Sequence, residues 1–200
     1  MEIITGTADS FSAEVLFDMA RYRHRVFVEK LGWDLDTRAR FELDEFDRKD
    51  TAYLIARNDG GKIVGTGRLL PTHRPYLLAT VFPELLGRRS APCSPKIWEL
   101  SRFAAMDLDA KPGVTHDDPL GTSLALEMLS VAMRTVAQKG ARRLVSVSPL
   151  GVERILRQAG LRARRLGPPM RIGRRHLFAC AIDVDTTWRP HPGRQDGANR

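Results

Sequence analysis

The sequence predicts an α/β protein: a single-domain mixed-sheet α/β sandwich over residues 1–185, followed by a tail at 186–200. Three observations predict it. The 200-residue length suits one large core, and 42% hydrophobic with 28% charged residues is ordinary for a globular chain. Two strand-like runs, TAYLIARN and KIVGTGRLLP, are joined by DGG, a strong hairpin signal. Strand and helix patterns then follow one another without strict β-α alternation, which argues for a mixed rather than an all-parallel sheet.

In order along the chain, EIITGTA reads as the first strand. Ser12 can cap a helix running to about Lys30, because Phe11, Val15, Met19, Tyr22 and Val26 step by four, four, three and four and so share one face. Gly32 breaks that helix and is followed by Trp33, a large aromatic where the chain should be turning into solvent. Residues 32–50 are polar and acidic without a period, longer than most connections, and loops of that length are often functional. After the hairpin comes a Pro-rich stretch from Pro71 to Pro95, then KIWELSRFAAM as a strand. Residues 120–138 read as a well-buried helix, with Leu120, Leu124, Met128, Ala132 and Val136 at steps of four and Leu126, Leu129 and Met133 on its other faces. RRLVSVS is a strand, PLGVERILRQAG a helix stopped by Gly160, and HLFACAIDV the last strand. The tail TTWRPHPGRQDGANR has Pro and Gly but no period, and is expected to be disordered.

Charge and cysteine usage narrow the function classes. The net charge is +8 and is uneven: residues 1–50 hold twelve Asp/Glu and eight Lys/Arg, whereas 134–182 hold twelve Lys/Arg and one acid, Glu153. A basic second half suggests an anionic partner, or else a solvated face. It has no aromatic interleaving and no helix-turn-helix or zinc-finger spacing, so nucleic acid is not the expected partner. Cys93 and Cys180 are far apart and outside any C-x-x-C, which makes a reducing cytoplasm the default. The five His residues show no metal-ligand spacing, so no metal is expected, and no apolar run approaches the ~18 residues of a membrane span.

Several polar residues stand where strands should be apolar. Arg68 lies within VGTGRLLP, and Glu99 and Arg102 lie three apart in IWELSRF; in a regular strand they would face opposite sides unless a bulge intervenes. The plain reading is an ion pair of Glu99 with a neighbour such as Arg68. Asp44 and Asp47 read as loop acids or caps, and Trp33 as a lid over the core.

Taken together, Arg23, Phe27 and Trp33 (R-x-x-x-F-x-x-x-x-x-W), Asp44 and Asp47 (D-x-x-D), Arg68 in GTGRLLPT, and Glu99 and Arg102 in WELSRF form a long ordered pattern. It resembles the acyl-homoserine-lactone synthases, the LuxI-type autoinducer synthases, from about residue 22 to 104, and the likeness continues through VSPLGVERILRQAG to about residue 183. The resemblance implies a fold similar to that of the N-acetyltransferases, with a splayed cleft, for an autoinducer synthase domain over 1–185. It implies that S-adenosylmethionine (SAM) gives its amine to an acyl thioester on acyl carrier protein, that the carboxylate then closes a lactone, and that methylthioadenosine leaves. SAM is a substrate, and no further cofactor is implied.

On that reading Glu99 is the candidate base, and Phe27 and Trp33 offer aromatic faces to the sulfonium. Asp44 and Asp47 hold the ammonium or order the loop, and Arg23, Arg68 or Arg102 bind the carboxylate or lock the acids. Val145, Val147, Leu124 and Met128 are candidates for the acyl chain, with the Ser146 hydroxyl placed for a C3 oxygen; core packing is the favoured reading for most of the apolar ones. Arg142, Arg143, Arg154 and Arg157 are candidates for docking the acidic carrier protein. Two rivals stand beside this. A CoA-dependent N-acetyltransferase should carry a glycine-rich loop entering a helix, and VGTGRLL reads as a strand. A nucleic-acid-binding regulator has no use for the acids and aromatics of residues 23–47.

Overall fold

The computed structural model describes residues 1–109 and 123–190. Eight strands form one sheet: β1 (Glu2–Thr7), β2 (Ala52–Arg57), β3 (Ile63–Pro71), β4 (Ile97–Ala105), β5 (Arg143–Pro149), β6 (Ala163–Arg165), β7 (Met170–Ile172) and β8 (Arg175–Asp183). Their order is β1-β2-β3-β4-β5-β8-β6, with β7 also on β8. All pairings are antiparallel except β4–β5, so the sheet is mixed, as the pattern predicts. The short β6 and β7 are too brief and too polar to show a period in the sequence. The Pro-rich stretch holds two single turns, α2 (Leu77–Thr80) and a 3₁₀ turn at Pro83–Leu86.

Helix α1 (Ala13–Arg23) starts at Ser12, whose hydroxyl accepts from the Val15 N–H at 3.4 Å. It widens into a π-helical segment, His24–Lys30, before Gly32 reverses the chain at φ +62°. The Trp33 N–H then returns to the Phe27 carbonyl at 2.8 Å, which carries the indole back over the helix instead of into solvent. Helix α3 (Ser123–Gln138) buries Met128, Ala132 and Val136 as its period requires; the predicted first turn at 120–122 lies outside the described residues. Helix α4 (Gly151–Gln158) ends before Gly160, at φ +73°. It buries Val152 and Leu156, whereas Leu150 before it is exposed. Beyond β8, the Trp188 indole donates to the Ala159 carbonyl at 2.8 Å and packs on the main core; residues 191–200 of the tail lie outside the described residues.

Two layers flank the sheet. The α3 layer packs on Leu54, Leu69, Trp98, Leu100 and Leu144. Gly65 permits this closeness, since a Cβ there would stand 2.4 Å from the Met128 sulfur. The other face carries α1 on Tyr53 and Ile55, and α2 with the 3₁₀ turn on Leu70 and Val145.

Two irregularities shape the middle of the sheet. Arg68 pairs with Ser101 while Thr66 pairs with Ala104, so β4 has one extra residue there, and Arg102 sits at φ +49°. Leu100 and Phe103 consequently both meet the α3 layer, and Arg102 joins Glu99 and Ser101 on the opposite face. Further along, β4 and β5 pair only through 97–99 and 143–145. Past Glu99 and Val145 the strands part, and a wedge opens between the rest of β4 and the rest of β5.

Candidate active site

The bulge in β4 makes the site possible. On the α1 face, β3 presents Arg68, β4 presents Glu99, Ser101 and Arg102, and α1 presents Arg23; the acidic loop 42–47 runs between them. Arg23 is fully buried. Its Nε donates to Glu42, and its two terminal nitrogens hold both Asp47 oxygens at 2.7 and 3.0 Å. Arg102 donates to Glu42 and to Asp44, each at 2.9 Å. Arg68, also fully buried, donates from Nε to the Ser101 hydroxyl at 3.1 Å and from Nη1 to Asp44 and Asp47. Three guanidinium groups thus meet three carboxylates, and the cluster is neutral as a whole.

Such a cluster is tolerable in the interior because every charge has a hydrogen-bonded counter-charge. The acids also template their own loop: Asp47 accepts from the Asp44 N–H at 2.8 Å, and Asp44 from the Phe46 N–H at 2.9 Å. Tyr53 adds a hydroxyl to Asp47 at 2.9 Å. Against the cost of burial, the neighbouring Arg23 and Arg68 hold the Asp47 carboxyl well below the usual carboxylate range.

Glu99 is not part of this cluster. The simple ion pair with Arg68 does not form, because Arg68 is engaged by Asp44, Asp47 and Ser101. Instead, the Glu99 carboxylate accepts the backbone N–H groups of Leu77 and Leu78 at 2.9 and 2.7 Å, at the start of α2. Burial pushes its pKa up to about 7, with the two N–H groups, Arg68 and Arg102 pulling the other way.

Phe27 and Trp33 stack with ring centroids 4.7 Å apart and planes at 32°. The Arg102 guanidinium lies 5.9 and 5.8 Å from their centroids, and Arg175, at the start of β8, lies 5.7 Å from that of Trp33. The structure therefore gathers all eight pattern residues on one side of the sheet. It adds Glu42, hidden in the ELDEFD run among acids that looked alike, and Ser101, a small residue between two larger signals.

The five acyl-chain candidates do not share a face. Val145 and Val147 pack with the α2 layer, whereas Leu124 and Met128 belong to the α3 layer. Ser146 alternates with Val145 and so points to the α3 side, 3.4 Å from the Ser148 hydroxyl. The docking candidates also divide. Arg142 and Arg143 stand at the paired end of β5, away from the open wedge, and Arg143 is bound to Asp183 at 3.2 Å. Arg154 and Arg157 are exposed on α4. Among the described residues, no cluster of three or more His, Cys, Asp or Glu side chains is arranged to hold a metal.

A mixed sheet parted beside a buried carboxylate, with helices on both faces, is an N-acetyltransferase-like architecture. Escherichia coli ElaA, 11% identical, shares the fold at a TM-score of 0.62 over 90% of this chain and 97% of its own. Residues 9–190 match the family model described as autoinducer synthase, and the chain belongs to that family. It is 47% identical to the acyl-homoserine-lactone synthase of Acinetobacter nosocomialis, over 92% of this chain and all of that one. A crystal structure of TofI in a ternary complex with an inhibitor and MTA is 40% identical, with a TM-score of 0.80 and 94% of each chain covered. BjaI, a CoA-dependent acyl-homoserine lactone synthase solved with SAM and isopentyl-CoA, is 28% identical, with a TM-score of 0.78 over 92% of this chain and 82% of its own.

Proposed function

We propose that this acyl-homoserine-lactone synthase joins SAM to an acyl chain delivered by acyl carrier protein, with Glu99 as the general base. The observation that carries this is the place of Glu99. It is buried where β4 and β5 part, on the same face as the Phe27–Trp33 pair, with a pKa of about 7. An α-amine has a pKa of about 7.7–8.0, so a carboxylate near 7 can take its proton without a large uphill step. The neutral amine adds to the thioester carbonyl, the thiol leaves, and the amide forms. The methionyl carboxylate then displaces methylthioadenosine from the γ-carbon and closes the ring. The sulfonium is already a good leaving group, so that step depends on folding the chain into reach.

Phe27 and Trp33 supply the aromatic faces for the sulfonium. Asp44, Asp47 and Arg23 order the loop that shapes the pocket, since each is bound within the neutral cluster. Arg68 retains an Nη2 that is buried without a hydrogen-bond partner, a donor available to a substrate oxygen. For the acyl chain the candidates are Val145 and Val147 on one face of β5, or Ser146 with Leu124 and Met128 on the α3 side.

The exposed Arg154 and Arg157 favour an acidic carrier protein as donor. BjaI shows that a relative takes acyl-CoA, so the two donors with the same acyl chain are the comparison that decides. Cys93 and Cys180 are both free thiols, the state that a reducing cytoplasm keeps. Mass spectrometry of spent medium from cells expressing the chain tests the function. An acyl-homoserine lactone absent from control cells is the expected result, and its absence when SAM and acyl donors are present would overturn it.

A further inference from the structure

Arg175 is not among the eight pattern residues, and its position suggests a use for it. It opens β8, just after the β7–β8 turn, on the half of the sheet beyond the wedge. Trp33 belongs to the other half, packed with Phe27 and Ala104. The Arg175 guanidinium 5.7 Å from the Trp33 ring therefore spans the open end of the wedge. Among the described residues no acid pairs with Arg175. Beside it, the Trp33 indole N–H is buried without a hydrogen-bond partner. A half-buried cation and an unused donor lie on the same indole, while Glu42, Asp44 and Asp47 are bound to Arg23, Arg68 and Arg102. A buried N–H of this kind calls for an acceptor.

We propose that Arg175 and the indole N–H of Trp33 form an oxyanion-binding site at the mouth of the wedge, which takes the anionic group of a substrate. This rests on the reading that SAM and an acyl thioester are the substrates. Two groups have the right chemistry: the carboxylate of SAM and the phosphate of the donor's phosphopantetheine arm. A guanidinium can grip either with paired N–H donors.

The test is Arg175→Met, which keeps an apolar stem on Trp33 and removes the charge, with Arg175→Lys as a second variant. Calorimetry compares SAM with its decarboxylated form, which retains sulfonium and amine. If the carboxylate is the ligand, Arg175→Met weakens SAM by about ten- to a hundred-fold, as for a hydrogen bond to a charged group. The decarboxylated form is then bound as by the wild type, and Arg175→Lys falls between. If the phosphate is the ligand, both SAM forms bind normally, and KM rises for an acyl-phosphopantetheine thioester but not for acyl-pantetheine. Equal losses for SAM and its decarboxylated form, or no change with any ligand, would overturn the site and leave Arg175 as packing for Trp33. Failure of the wild type to bind SAM at all would overturn the substrate reading, and this site with it.

Discussion

Glu99 is a carboxyl group that the fold keeps partly protonated near neutrality, and this has two separable consequences. As the proposed base, Glu99 works when ionised, so kcat should rise through an acid limb near pH 7. Glu99→Gln should bind SAM normally and lose most amide formation; wild-type turnover of that variant between pH 6 and 9 would make Glu99 purely structural. In stability, the folded pKa of about 7 lies above the ordinary 4.5. Between those values the native state holds the proton more tightly than the unfolded chain, so the Glu99 contribution to stability declines as pH rises from about 4.5 to 7. Urea unfolding at pH 5, 6, 7 and 8 should show that decline in the wild type and not in Glu99→Gln. Asp47 has the opposite sign: its stabilisation is present above the ordinary carboxylate range and lost in acid. Trp33 is a residue whose role was half legible in the sequence. An indole after a helix-ending glycine is odd, but only the backbone bond back to Phe27 shows that the ring folds over the helix. Trp33→Ala should weaken SAM binding by a few-fold to ~30-fold, the range of a cation–π contact worth about 0.5–2 kcal/mol. A large drop in Tm with unchanged affinity would return Trp33 to the role of a core lid.

At the scale of elements, the loop 42–47 and helix α4 behave differently because one is buried and the other is not. Glu42 bridges Arg23 and Arg102 from within the interior. Glu42→Gln leaves both guanidinium groups short of a counter-charge, and breaking a buried pair costs about 3–5 kcal/mol. Chemical denaturation should show a loss of that size, and a loss under 1 kcal/mol would mean that the remaining acids can re-pair the arginines. On α4, Arg154 and Arg157 are exposed and three apart, so they share a face. Arg154→Glu with Arg157→Glu should raise KM for acyl carrier protein, leave that for SAM nearly unchanged and change Tm little. Rim charges act mainly on association, so the wild-type reaction should slow with salt and the double variant should show a flatter dependence. Normal handling of the carrier protein by that variant would remove α4 as the docking face. Helices α1 and α3 were legible from their helical periods, and the β2–β3 hairpin from DGG between two apolar runs. The three-residue strands β6 and β7 were not, because their pairing is dictated by β8 rather than by their own pattern. The charged residues were legible as types but not as partners: nothing in WELSRF says that a bulge turns Arg102 to the side of Glu99 and toward acids 60 and 58 residues away in sequence.

For the whole molecule, fold class and family were readable from length, the hairpin and the ordered polar residues, whereas the division of the sheet was not. Strands β1–β4 and β5–β8 meet through three residue pairs, 97–99 with 143–145, and the wedge occupies the rest of that seam. A sheet so divided transmits little from one half to the other through its own hydrogen bonds. Helix α3 lies on the β1–β4 half, with Met128 seated against Gly65 in β3, whereas α4 lies on β5 and β6. Each half thus carries its own helix. The protein is therefore expected to open in two blocks, whose amide protons exchange with different free energies. Native-state hydrogen exchange with a single free energy for both halves would overturn this division.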